Sequence, residues 1–231
     1  MEFLGEVIGD VADFFASAGS ELWEVIGLTF AVSGTATLIG AAIGVPLGVA
    51  LGIGRFRGRS FTQALVNTGM AIPPVLAGLV VLLLVWGDGP VGALDLVFTP
   101  AAMITAQTLL AIPIAAGVTA AAIRSLSPDA HVQLSALRLP AAARGRLVVR
   151  EAWPGVAAAV AAAFGRVLAE VGAVLVVGGN IRGETRVLTT AIVQEARQAR
   201  FGAALALGIV LLGIALAVNL VLIRLQREAP A

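Results

Sequence analysis

From Val25 to Gly54 thirty consecutive residues carry no charged side chain, and similar runs cover Ala64–Trp86, Pro100–Ile123 and Phe201–Ile223. A helix crosses the hydrocarbon core with about 20 predominantly apolar residues, so each run is long enough to span. A fifth run, Val156–Val177, has the same length but contains Arg166 and Glu170. Composition agrees: 59% of residues are hydrophobic and 13% charged, and mean hydropathy is +0.99, far from soluble averages. The fold class is therefore all-α, a polytopic membrane protein with about five transmembrane helices, Trp23–Ile53 being the first. That first span exceeds what a bilayer requires, which predicts tilt or a bend near Pro46.

Residues 1–20 precede the spans and place Leu4, Ile8, Val11 and Phe15 on one helical stripe, with Glu2, Glu6, Asp10 and Asp13 on another. This pattern predicts an amphipathic helix, outside or at the membrane surface, lying on lipid or a partner. A cleaved signal peptide begins with a basic region, and this segment has no basic residue. Arginines cluster in the first connection (Arg55, Arg57, Arg59), the third (Arg124, Arg138, Arg144, Arg146, Arg150) and the tail (Arg224, Arg227). The positive-inside rule puts these in the cytoplasm and the amino terminus outside. The fourth connection is an exception on the outer side, with Arg182, Arg186, Arg197 and Arg200 against Glu184 and Glu195. Trp23, Trp86 and Trp153 fall at expected span ends, where amphipathic rings sit.

Each ionised group near the bilayer midplane costs roughly 2.5–3.5 kcal/mol on insertion scales. Arg166 and Glu170 are thus either a neutralising i,i+4 pair or part of a gate network with partners on another helix or subunit. Arginine first is the weaker order for a helix pair. The polar stretch that follows supplies the other gate or pathway candidates: Gly172, Gly178, Gly179, Asn180, Gly183, Thr185, Arg186, Thr189 and Thr190. Glycines allow a helix C-cap and a flexible loop, or a close approach of backbone amides to an anion, with the threonines as neutral donors. The arginines of this loop raise local anion concentration, or meet acidic residues of a binding protein. Pro73, Pro74 and Pro113 bend helices within spans. Gly40, Gly44, Gly48 and Gly52 make a flat face for close helix approach, and Gln107 and Asn219 read as helix–helix hydrogen bonds.

The longest inside connection, 124–154, has an architecture of its own. Ser127 suits an N-cap, Pro128 the first helical position and Asp129 the positive end of the helix dipole, with a helix following to about Leu139. Val132, Leu134, Leu137 and Leu139 stay partly unburied on so short a helix, which predicts a docking element.

These residues resemble the membrane subunit of type I ABC importers, in particular the oxyanion branch that carries molybdate, tungstate and sulfate. That family bears an E-A-A-x-x-x-G motif in this inside loop, and Asp129, Ala130, His131 and Ser135 stand at its positions. The I-x-L-P that closes the motif is missing, with Val149, Arg150, Glu151 and Ala152 in its neighbourhood. Phe164–Ile192 resembles the family's fourth core span and outer loop, Met70–Leu79 its paired-proline span, and Leu96–Ile114 its third span. The wording is most similar to tungstate permeases, with molybdate next.

The resemblance implies a type I ABC importer transmembrane fold over 21–228 and a prokaryotic inner-membrane location. It implies a second copy of the chain as partner, together with two copies of an ATPase subunit that hold ATP and magnesium, and an extracytoplasmic oxyanion-binding protein. Ser127, Pro128, Asp129, Ala130, His131, Ser135 and Leu139 would couple to the ATPase. The chain itself should carry no cofactor, metal site, nucleic-acid site or catalytic residue: it has no cysteine and one histidine, and all 15 basic residues are arginine, so a P-loop lysine is absent. The other readings are a sulfate-type permease, an ion-coupled secondary transporter using Glu170, and a non-transporting membrane scaffold.

Overall fold

A computed structural model describes residues 2–17, 19–137 and 139–228. The side chains of residues 1–4, His131, Ser135 and 225–228, and the whole of Arg138, lie outside that description, so the expectations placed on Glu2, Leu4, Arg138, Arg227 and those two coupling side chains are not followed further. Among the described residues the regular structure is helical: α1 (Glu2–Ser17), α2 (Ser20–Ile53), α3 (Arg59–Met70), α4 (Pro74–Val85), α5 (Pro100–Arg124), α6 (Pro128–Ala136), α7 (Ala141–Glu151), α8 (Trp153–Leu168), α9 (Gly172–Gly178), α10 (Leu188–Arg197) and α11 (Phe201–Glu228), with a 3-10 turn at Gly92–Leu94.

Among the described residues three helices are long and apolar enough to cross a membrane, Ser20–Ile53, Pro100–Arg124 and Phe201–Arg224, and by length and composition the number rises to as many as five if each of two bent pairs counts as one span. The second expected span is bent by 102° between α3 and α4. Pro73 and Pro74 occupy the break, where each lacks the N–H that would continue a helix, and Pro74 then opens α4. α2 is continuous through Pro46 and α5 through Pro113. The fourth expected span is not one helix. α8 stops at Leu168 and α9 starts at Gly172, and at its other end α8 meets α7 at 82°.

The chain forms two compact units, one of residues 1–35, 73–107 and 168–217, the other of 36–72, 108–167 and 218–231. In the first, Val25, Leu188, Ala191 and Leu207 form a core against which Phe14 of α1 packs. Val7, Val11 and Phe14 are the half-buried side of α1, while Ile8 (67% exposed) and Phe15 (43%) point outward. The apolar stripe is therefore split: Val11 turns toward the chain itself, and Ile8 and Phe15 are left for lipid or a partner.

In the second unit, α2 lies directly on α5 along the glycine stripe. A Cβ on Gly44 would stand 2.6 Å from the Ile112 carbonyl oxygen, one on Gly48 2.6 Å from that of Ala116, and one on Gly52 2.7 Å from Ile123 Cγ2. Gly40 meets Ala111 in the same way. Small residues let backbones approach where lipid supplies no hydrophobic drive between helices. Trp23, Trp86 and Trp153 are all well exposed at helix ends.

Candidate functional site: a broken span and a docking helix

Glu170 sits in the gap between α8 and α9, so it does not share a helix with Arg166. Its side chain is buried, 4% exposed. Oε1 accepts hydrogen bonds from the Gly172 N–H (2.7 Å) and the Ala173 N–H (3.3 Å). The carboxylate thus serves the first orphan amides of α9, at the positive end of its dipole. Thr189, from the start of α10, donates its hydroxyl to the Glu170 carbonyl oxygen at 2.9 Å. The break is held from both sides of the same residue.

α9 then packs backbone to backbone against α4. A Cβ on Gly78 would lie 2.8 Å from Ala173 Cα, and one on Gly172 2.6 Å from Val75 Cγ2. Two half-helices, each beginning at a break within an expected span, therefore lie side by side in the first unit. Discontinuous membrane helices of this type build transport pathways, because their ends expose backbone groups inside the protein.

The loop after α9 uses its polar residues on itself. Gly179 ends the helix with φ 68°, a left-handed cap that suits glycine, and Asn180 and Gly183 are also left-handed. Thr185 is buried. Its hydroxyl accepts from the Ile181 N–H at 2.9 Å and donates to the Gly178 carbonyl. Thr190 accepts from the Val187 N–H at 3.1 Å and donates back to its carbonyl at 3.0 Å. The Leu188 N–H donates to Thr29 Oγ1 at 3.0 Å. Each of these threonine hydroxyls, Thr189 included, holds the scaffold. They are not free donors lining a mouth.

The arginines of this region are mostly paired as well. Arg182 forms an ion pair with Glu21, Arg186 approaches the same carboxylate at 3.7 Å, and Arg200 pairs with Glu195 at 2.6 Å. Arg197 is exposed. The field available to steer an anion is smaller than four arginines suggest. Glu21 and Thr29 were not singled out in the sequence, since their partners lie far away along the chain.

In the second unit helix α6, the expected docking element, begins as expected: the Ala130 N–H donates to Ser127 Oγ at 3.2 Å, with Asp129 in the first turn. It ends at Ala136 rather than Leu139. Leu134 is 6% exposed and joins Val49, Ile123, Val148, Ala152 and Val156 in a core, so it anchors the helix instead of being presented. Val132 (65% exposed) and Leu137 (56%) are presented, Leu139 less so. The stretch read as loop after it contains α7, introduced by Pro140 and carrying Val148 into the same core.

Residues 44–228 match the family described as the binding-protein-dependent transport system inner membrane component. The chain belongs to this family. It is 40% identical over 214 residues to a probable anion ABC transporter permease protein of Haloferax volcanii, covering 90% of this chain and 92% of that one. It is 37% identical to the tungstate uptake system permease protein TupB of Peptoclostridium acidaminophilum, over 99% of this chain and 100% of that one. The fold matches a chain of the inward-facing MetNI methionine ABC transporter with TM-score 0.71 at 18% identity, over 91% and 94% of the two chains. It also matches a chain of a bacterial ABC transporter that imports alginate, with TM-score 0.72 at 21% identity, over 96% and 84%.

The chain is thus the membrane subunit of an ABC importer, embedded by its apolar helices and associated with ATPase and binding-protein components; it is a transport component and not a catalytic one. Within this importer subunit the secondary-transporter reading of Glu170 falls away, and its carboxylate is engaged by helix amides.

Proposed function

We propose that this chain is the pore subunit of an importer for tungstate, with molybdate as the nearest alternative cargo. The end-to-end match to a tungstate permease carries the reading. Sulfate permeases, such as that of Salmonella typhimurium at 29% identity over 171 residues, are more distant. Two copies form the pathway, each docking one ATPase subunit that holds ATP and magnesium, and an extracytoplasmic protein delivers the oxyanion. The arginine-rich connections and tail face the cytoplasm and the amino terminus faces outside, in keeping with the positive-inside rule.

The second unit offers a face for the second copy. Ala158, Ala162 and Gly165 recur along α8 at helical spacing, and a Cβ on Gly165 would meet nothing within 4 Å. Small residues are what close membrane helix pairing needs. Closure of the ATPase pair moves α6 through Val132 and Leu137, and the break at 169–171 yields as the gate between inward and outward access. Glu170 lies in that break and Arg166 in the last turn of α8 before it, and both belong to the gate; the anion does not bind to them.

The test is reconstitution with the cognate ATPase and binding protein. Tungstate-loaded receptor is expected to stimulate ATP hydrolysis and uptake more than molybdate or sulfate. Stronger stimulation by sulfate overturns the cargo assignment. Copurification of an ATPase subunit with the full chain, lost on deletion of residues 127–139, is the expected result for the docking helix.

A further inference from the structure

At the end of α2 the second unit contains an open groove of about 1110 Å³, walled by α2 on one side and by α6 and α7 on the other. It exceeds the roughly 300–1,000 Å³ of small-molecule pockets. Its wall is apolar along Pro46, Val49, Ala50 and Ile53, and its rim is basic, with Arg55, Arg59 and Arg144. Arg59 is fixed over the helix end, its Nε and Nη2 donating to the Leu51 carbonyl at 3.0 and 2.8 Å. Among the described residues Arg144 Nε is buried with no hydrogen-bond partner, an unsatisfied donor on a residue that lines the rim.

We infer that this groove binds one anionic phospholipid, its phosphate on the arginine rim and an acyl chain along α2. α2 is long and apolar enough to span a membrane and the groove lies at its terminus, where such a span leaves the hydrocarbon for the headgroups. From Ile53 back to Pro46 the apolar wall runs about 10 Å along the helix, the depth at which acyl chains begin. Basic pockets beside membrane helices suit such headgroups. A free phosphate would use the rim and leave the wall empty; the groove shares only its α6 edge, at Val132, with the face assigned to the ATPase, and its slot runs between α2 and α7. The inference does not depend on the cargo or on which face of the membrane is cytoplasmic.

The experiment uses the purified permease–ATPase complex in nanodiscs of phosphatidylcholine with phosphatidylglycerol, with bound lipid counted by native mass spectrometry. Wild type should retain one phosphatidylglycerol. Arg55→Gln/Arg144→Gln should bind it about 30-fold more weakly, from roughly five- to sixfold per arginine near an anionic headgroup. Gly145→Leu should also lose it by filling the slot with no change in charge; a Cβ there meets only Val49 Cγ1, at 3.7 Å, an ordinary contact, and an unchanged thermal unfolding profile shows that the variant is folded. Equal phosphatidylglycerol in wild type and the double variant overturns the inference. So does displacement of the lipid by inorganic phosphate, full retention in Gly145→Leu, or a loss of ATPase from the double variant with lipid unchanged.

Discussion

Replacing Glu170 separates two jobs that one carboxylate performs. In Glu170→Ala the Gly172 and Ala173 amides lose their acceptor, and Ala173 is fully buried, so water cannot replace it. A hydrogen bond to a charged group contributes about 1.5–3 kcal/mol and a lost helix cap about 0.5–2 kcal/mol. With one short and one long bond the loss comes to about 2–4 kcal/mol. For a chain of this size that lowers the melting temperature by about 5–15 °C. Glu170→Gln keeps an oxygen to accept from these amides and gives up the charge at the helix terminus, worth about 1 kcal/mol there. Thermal unfolding of the assembled complex in nanodiscs reads the difference. Alanine and glutamine variants of equal stability refute the cap. The gate role predicts, in addition, that Glu170→Gln assembles and hydrolyses ATP with little uptake, because the break is no longer locked by charge. Normal coupling in that variant refutes the gate and leaves the cap standing.

Three further outcomes follow from packing and charge. Gly44→Ala pushes a methyl to 2.6 Å from a backbone oxygen of α5 and should destabilise by about 1–3 kcal/mol, whereas Gly27→Ala on the same helix meets nothing within 4 Å and should leave the melting temperature unchanged; equal effects sink the flat-face reading of the stripe. Leu134→Ala should destabilise the complex by about 2–5 kcal/mol, while Val132→Ser with Leu137→Ser should leave the permease folded and weaken ATPase copurification; the reverse pattern would mean that the anchoring and docking faces of α6 have been exchanged. Glu21→Gln frees Arg182 and Arg186 without touching the core. It should steepen the salt dependence of oxyanion delivery while barely changing stability, since exposed ion pairs add little; an unchanged salt slope removes these arginines from steering.

What the sequence made legible follows from the solvent. In lipid, length and hydropathy dictate spans almost alone, so the five apolar runs, the glycine face and the tryptophan-marked ends were readable along one dimension. The Pro73–Pro74 break was readable too, because proline carries its consequence locally. The break at 169–171 was not. Ala169, Glu170 and Val171 include no helix breaker, and what stops α8 is an exchange in which a side-chain carboxylate replaces the carbonyl that a continuous helix would supply. Likewise α7 hid behind its arginines: its one buried side, at Val148, is too short to mark a period, and the remaining signal was Pro140 at its entrance.

The loop threonines illustrate the same limit from the other direction. Thr185, Thr189 and Thr190 looked like donors for an anion because hydroxyls beside glycines and arginines fit one, yet each hydroxyl is buried and committed to a backbone group. A hydroxyl's partner is a tertiary fact, and within lipid an unpaired backbone carbonyl costs enough to claim any donor in reach. It follows that the residues which hold the break open and the residues that meet cargo are different sets. On the proposed cargo reading, an oxyanion passing this subunit meets threonine hydroxyls already committed to the scaffold, which suits a pore that must release what a binding protein has already selected. Tight binding along the pathway would slow transport without improving choice. Substitution of Thr189 should therefore alter gating through the Glu170 carbonyl, and the ratio of tungstate to molybdate uptake should stay the same; a changed ratio would place cargo contact at this threonine after all.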